Sequence, residues 1–171
     1  ASANRLGVQL RPHLKTLKSA SAAKALMASG ACGITVSTLK EADYFLKHRI
    51  QDITYAVGMV PARLSEAARL IGLGADLKIM TDNLEVARSI ADVASRNGIM
   101  YKVMIEIDCG DNRGGLQSDS EELLQIAEVI TKSTAHFQGV LTHAGHSYGV
   151  NNTAAIEKIA QQERESVVDA A

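Results

Sequence analysis

Lys15 closes the run Arg11-Pro12-His13-Leu14-Lys15 and is followed by Thr16-Leu17-Lys18-Ser19. Taken alone it reads as a solvated lysine after an edge strand, and the polar character of the neighbouring strand ends favours a functional reading. Side chains of an extended chain alternate between two faces. Val8, Leu10, Pro12 and Leu14 therefore share an apolar side, and Gln9, Arg11, His13 and Lys15 a polar one. Lys15 is the last of the polar set before the pattern turns helical, which sets its amine at the C-terminal end of a strand. An amine that attacks a carbonyl must be neutral, and cationic neighbours favour that form. Arg11 and His13 stand on the same face, and His13 can also shuttle a proton.

Two more segments have the make-up of strand-end loops. Glu106-Ile107-Asp108-Cys109-Gly110-Asp111-Asn112-Arg113-Gly114-Gly115 is glycine-rich. Its glycines permit a tight backbone with positive φ, which lets Arg113 reach inward. The competing reading is a surface Asp111–Arg113 pair, worth little by itself. Gly139-Val140-Leu141-Thr142-His143-Ala144-Gly145-His146-Ser147-Tyr148 ends another strand. His143 and His146 are spaced so that a loop could bring both to a metal, but no acidic or thiol partner lies nearby in sequence to complete such a set. His48 and His136 precede strands and are expected at the surface.

The elements that must position these residues alternate. Strands are expected at about 7–15, 33–37, 52–57, 77–80, 101–108 and 137–142. Amphipathic helices are expected at about 19–29, 40–48, 61–73, 83–97, 119–134 and 153–171. Pro61 suits a first helical turn, Asp82 or Asn83 can cap the next helix, and Gly30, Gly74 and Gly98 are stops. Six β-α units in strict alternation imply a parallel sheet with right-handed crossovers. An open doubly wound sheet and part of an eight-fold barrel both satisfy that rhythm. The polar face of the first strand favours the barrel, as do Lys102, Met104, Glu106 and Asp108 on one side of the fifth, because such residues suit a lumen with a site at its mouth.

With 171 residues the chain has the length of one domain. A net charge of −1 gives no argument for nucleic acid or an anionic membrane. Cys32 and Cys109 lack ligand-like spacing and read as reduced thiols of a cytoplasmic protein. No apolar run approaches a membrane span, and the first residues lack a signal-peptide core. The sequence does not begin with methionine and its first recognisable element is a strand, so it is expected to start inside a longer protein.

Three phrases carry a family resemblance: Arg-Pro-His-x-Lys-Thr-x-Lys at 11–18, Glu-x-Asp-x-Gly-x-x-Arg-x-Gly at 106–115, and Thr-His-x-Gly-His-Ser-Tyr at 142–148. Together they resemble the D-threonine aldolase and D-serine dehydratase-like family, pyridoxal-phosphate enzymes of the alanine-racemase (type III) fold. The chain departs from the family's common pattern at Leu17 (often His), Asp111 (often Met) and Gly114 (often Thr).

The resemblance implies a TIM-type (β/α)8 barrel of the alanine racemase N-terminal kind, here an incomplete one of about six units. Residues 1–171 would be a partial pyridoxal-phosphate-binding domain, with the family's C-terminal β-domain absent. It implies that Lys15 forms the Schiff base with pyridoxal 5'-phosphate, with His13 beside it as a catalytic group. Arg113 would approach the cofactor's phenolic oxygen, His143 would pack on its ring, and His146, Ser147 and Tyr148 in the loop would contact cofactor or substrate. The function implied is a lyase acting on D-β-hydroxy amino acids, an aldolase or a dehydratase. A non-catalytic pyridoxal-phosphate carrier and an inactive fragment are the alternatives. No metal site is assigned to this chain. A divalent metal in the full-length protein would take its ligands from elsewhere, and no phosphate-cradling loop is found. The partners implied are a small D-amino acid and, for the full-length form, a second copy in a homodimer.

Overall fold

The computed structural model describes residues 2–171. Five strands, β1 (Ile34–Val36), β2 (Asp52–Gly58), β3 (Asp76–Thr81), β4 (Lys102–Ile107) and β5 (His136–Thr142), form a sheet in the order β1-β2-β3-β4-β5. β1 pairs with β2, and β4 with β5, in parallel. The helices are α1 (Ser2–Leu6), α2 (Ala20–Ala28), α3 (Leu39–Lys47), α4 (Leu64–Gly72), α5 (Leu84–Asn97), α6 (Glu121–Thr131) and α7 (Thr153–Ala170), with short 3-10 turns at Pro61–Arg63 and Gly145–Gly149. A doubly wound sheet reverses its strand order at a switch point. Strands that follow one another in chain order without reversal are the arrangement of a barrel wall, which decides between the two architectures.

The chain divides into two compact units, Ala1–Ile79 and Met80–Ala171. In the first, Leu14, Ala23, Ile34, Val36, Phe45, Ile53, Leu64 and Leu70 are buried together as the apolar core. Its helices start where capping residues stop the extended chain. Ser19 Oγ accepts from Ala22 N–H, and Thr38 Oγ1 from Glu41 N–H. In the second unit Asn83, Ser120 and Asn152 cap α5, α6 and α7 in the same way. Gly98, at φ 64°, ends α5 in the left-handed conformation that glycine adopts without strain. Along β4 burial alternates as the sequence implies: Val103, Ile105 and Ile107 are buried, whereas Lys102, Met104 and Glu106 stay partly exposed.

Two expectations are corrected. The described chain opens on helix α1 and not on a strand. The expected first strand, 7–15, is reduced to two parallel bridges, Leu10 to Ala31 and His13 to Thr35, so the sheet has five strands and not six. Pro12 is the reason on the sequence side, because it has no N–H to give a ladder. What remains is Cys32 N–H donating to Leu10 O (2.9 Å), Thr35 N–H to Pro12 O (2.8 Å) and Leu14 N–H to Thr35 O (2.9 Å). The apolar face is broken too. Leu14 is buried, but Val8 and Leu10 are exposed.

Candidate active site

In the first unit Leu14 anchors the lysine segment in the core, and the chain turns at once. Lys18 N–H donates to Leu14 O at 2.9 Å, closing a turn over 15–17, and Lys18 takes φ 44°, a conformation uncommon for a side-chain-bearing residue. Lys15 is exposed on that turn. Its backbone N–H donates to His13 Nδ1 at 3.3 Å, and His13 Nε2 lies 3.3 Å from Ser37 Oγ at the end of β1. A neutral imidazole that accepts at Nδ1 carries its proton at Nε2, so His13 presents a donor to Ser37. Lys18 Nζ reaches Glu41 Oε1 at 3.1 Å, while Glu41 Oε2 accepts from Ser37 N–H at 2.9 Å. Lys18, Ser37, Glu41, Tyr44, Tyr55 and Arg63 line a cavity of about 780 Å³ beside this turn.

Arg11 does not join Lys15. Its guanidinium makes two hydrogen bonds to the Asp52 carboxylate, at 2.7 and 2.9 Å. Lys78 Nζ binds the same carboxylate at 2.5 Å and Asp76 at 2.7 Å. Burial alone would raise the Asp52 carboxyl, but hydrogen bonds from Arg11 and Lys78 outweigh it and hold it below the ordinary carboxylate range. Gly33 makes room for this group: a Cβ there would sit 2.4 Å from Arg11 Nη1 and 2.8 Å from Asp52 O. The expected electrostatic help from Arg11 to Lys15 is thereby corrected, since the cation is committed to a carboxylate at the start of β2.

In the second unit β4 runs into a loop that folds back on itself. Asp108 N–H donates to Leu116 O, and Leu116 N–H to Glu106 O, both at 2.9 Å. Inside the loop Asp108 Oδ1 accepts from Gly110 N–H (2.9 Å) and Asn112 N–H (3.1 Å), and Oδ2 from Gln117 Nε2 (3.2 Å). Asp82, just past β3, accepts from Gly115 N–H at 2.8 Å. Gly115 has φ 97°, and a Cβ on it would lie 2.6 Å from Asp108 N. The loop is thus pinned by two carboxylates and one obligatory glycine, with Arg113 exposed at its far side. Arg113 makes no ion pair with the described residues; Asp111 sits instead 3.7 Å from His146 Nδ1. Glu106, half-buried on the open face of β4, has its carboxyl pushed up by burial and by Asp82 and Asp108, against the opposing pull of Arg113.

At the end of β5, Thr142 Oγ1 donates to Ile107 O at 2.6 Å. His143 and Tyr148 come together, with ring centroids 6.0 Å apart, and Tyr148 is 83% exposed. Both ring nitrogens of His146 are shielded from solvent and lack a hydrogen-bond partner among the described residues. Of the residues singled out from sequence, the first unit holds Lys15 and His13 in contact, and the second holds Arg113, His143 and Tyr148 in the loops after β4 and β5. Sequence reading missed Asp108 as the organiser of its loop, although Asp-x-Gly is an Asx-turn signal that could have found it. Asp82 and the Asp111–His146 approach join residues 33 and 35 positions apart, and no local pattern announces them. Among the described residues no three His, Cys, Asp or Glu side chains are grouped to hold a metal ion, and His48 and His136 are exposed.

Residues 1–170 match the family model described as alanine racemase, N-terminal domain. The D-threo-3-hydroxyaspartate dehydratase of Delftia sp. (strain HT23) is 44% identical over 166 residues, covering 96% of this chain and 44% of that protein. Its solved structure superposes with a TM-score of 0.96 over 99% of this chain and 45% of that one, at 43% identity. A D-serine dehydratase of Dictyostelium discoideum is 33% identical over 172 residues, covering 92% of this chain and 43% of the relative. A D-threonine aldolase of an Arthrobacter species is 30% identical over 146 residues, covering 85% and 38%. The chain therefore spans less than half the length of these three relatives. By sequence and by fold, it belongs to the family of alanine racemase N-terminal domains.

Proposed function

We propose that the protein carrying this chain is a pyridoxal-phosphate-dependent lyase of D-β-hydroxy amino acids. The observation that carries the reading is the exposed Lys15 amine on a tight turn at the strand-end side, in a chain whose relatives are dehydratases and an aldolase of such substrates. The side chains present fit the cofactor. Lys15 would hold it through Nζ, Arg113 is a cation with no ion pair among the described residues, and His143 offers a partly buried imidazole face backed by Tyr148. Pyridoxal phosphate, when bound, supplies an electron sink for bonds broken at the substrate's Cα.

The chain's own residues supply position and protons. The bond from Lys15 N–H to His13 fixes the turn that presents the amine, and His13 Nε2 can carry a proton between Ser37 Oγ and a group beside Lys15. Arg113 would stabilise negative charge on the ring oxygen, and His143 and Tyr148 would flank the ring. Dehydratase is the better-supported chemistry, because the two relatives with the higher identity reported above are dehydratases. The substrate would be a small D-amino acid, the working form a homodimer, and the setting the cytoplasm, where Cys32 and Cys109 stay free. No helix among the described residues is long and apolar enough to cross a membrane.

The test is intact mass after incubation of the full-length natural protein with pyridoxal phosphate and borohydride, set beside turnover of D-serine, D-threonine and D-threo-3-hydroxyaspartate. One adduct that disappears in Lys15→Ala, together with turnover of one of these, is the expected result. An adduct without turnover makes the protein a cofactor carrier, and an adduct indifferent to Lys15 overturns the assignment.

A further inference from the structure

The loops after β4 and β5 hold one acid and one base that the proposed chemistry does not use, Asp111 and His146. Asp111 is two residues from Arg113 in a loop rich in glycine, close enough along the chain for the two to pair. The structure has Asp111 turned the other way. Its Oδ1 is 3.7 Å from His146 Nδ1, and Oδ2 lies over Gly145, where a Cβ would sit 2.7 Å from it. A Cβ on Gly145 would also meet His143 Nε2 at 3.3 Å, so the space over this glycine is filled by the carboxylate and an imidazole. Neither nitrogen of His146 has any other partner among the described residues, and both are shielded from water. A shielded imidazole has one way to recover the lost solvation here, by engaging the carboxylate beside it. Only a residue as small as Gly145 lets that carboxylate come so close.

We infer that His146 is a positioning residue that engages Asp111 and so keeps this carboxylate off Arg113. The inference rests on the reading of Arg113 as a cofactor-binding cation. Asp111 is half-buried, and its carboxylate goes to the nearest positive charge it can reach. With His146 in place the group beside it is the imidazole, 3.7 Å away. Without it, the nearest cation in the same loop is Arg113, and a neutralised Arg113 can no longer serve a developing oxyanion.

A double-mutant cycle on the full-length natural protein reads this directly, with the dissociation constant of pyridoxal phosphate from equilibrium dialysis as the measurement. His146→Gln weakens binding about ten-fold, the weight of one charge-assisted hydrogen bond. Asp111→Asn alone stays within about two-fold of the parent, and Asp111→Asn/His146→Gln returns to within about two-fold. A packing role for His146 would not be rescued by removing the acid, so a double variant as weak as His146→Gln overturns the inference, as does a harmless His146→Gln. If His146→Gln does not fold, the double variant is compared with Asp111→Asn, and a remaining difference of ten-fold overturns it equally. His146→Lys, which keeps a cation for Asp111, retains parental affinity. Arg113→Ala separates the two levels. If it binds the cofactor like the parent, the reading of Arg113 is wrong; if it binds weakly while the cycle shows no rescue, only the role of His146 falls.

Discussion

At the strand starts of the first unit, four charges are bound to one another. Arg11 and Lys78 share Asp52, and Lys78 also takes Asp76. At the strand ends of the second unit, charges of both signs stand without that closure. Arg113 has no ion pair among the described residues, Glu106 is half-buried among other acids, and His146 has no hydrogen-bond partner. Barrels keep stability at the N-terminal ends of their strands and chemistry at the C-terminal ends. The difference between these two regions gives that rule an electrostatic form. Charge that is satisfied within the protein has nothing left to offer a ligand, and charge held at a cost to the fold does.

The comparison breaks most readily at Asp52. Asp52→Asn leaves Arg11 without its carboxylate and Lys78 with Asp76 alone, in a poorly solvated place. Removing one partner of a fully buried pair costs about 3–5 kcal/mol; Asp52 keeps 31% side-chain exposure, so about 2–3 kcal/mol is expected. Urea denaturation at neutral pH measures it. Because the folded carboxyl lies below the ordinary range, its contribution is complete above the unfolded value and is lost as pH falls through the folded one. Parent and variant therefore converge in acid, and a constant gap across that range would show that packing is responsible instead.

Gly115→Ala is next in size. Its φ of 97° and the 2.6 Å approach of Asp108 N to a Cβ leave no cheap accommodation, and a cost of about 2 kcal/mol is expected. It also disturbs the loop that carries Arg113, so thermal stability and pyridoxal-phosphate affinity should fall together. Loss of stability with unchanged affinity would mean that the pinning of the loop does not matter to Arg113.

Much of this was legible in the sequence, and for stated reasons. The helices were, because Ser19, Asn83, Ser120 and Gly98 are local signals that act locally. The alternation along β4 was, because one face meets apolar neighbours and the other does not. The segment before Lys15 was overread. A period-two pattern appears there, but Pro12 withholds a donor and Val8 and Leu10 stay exposed. Arg11 was misassigned, because its partner Asp52 lies 41 positions away and alternation says nothing about which charge a face will meet. The lysine, arginine and histidine phrases could be read because each is contiguous; Asp82 and Asp111 could not, because their roles exist only between segments.

The sharpest use of the comparison is the same chemical change made in the other region. Glu106→Gln, like Asp52→Asn, replaces a carboxyl by its amide, and the opposite sign is expected. Burial and the neighbours Asp82 and Asp108 push the Glu106 carboxyl up, and Arg113 only partly opposes them. A carboxyl raised in the folded state contributes stability below its unfolded value and loses that contribution as pH rises through the folded value. Above its folded value the ionised Glu106 is thus a burden to the fold, and there Glu106→Gln should raise stability by about 0.5–1 kcal/mol. The gain should shrink toward acid pH, where the parent's carboxyl is protonated as well. Removing the opposing cation with Arg113→Ala should enlarge it. Denaturation midpoints of the parent, Glu106→Gln, Arg113→Ala and the double variant, each followed across the carboxylate range, decide the matter. A Glu106→Gln protein less stable than the parent at neutral pH would make this acid as well satisfied as Asp52, and the contrast between strand starts and strand ends would then reduce to a difference in exposure.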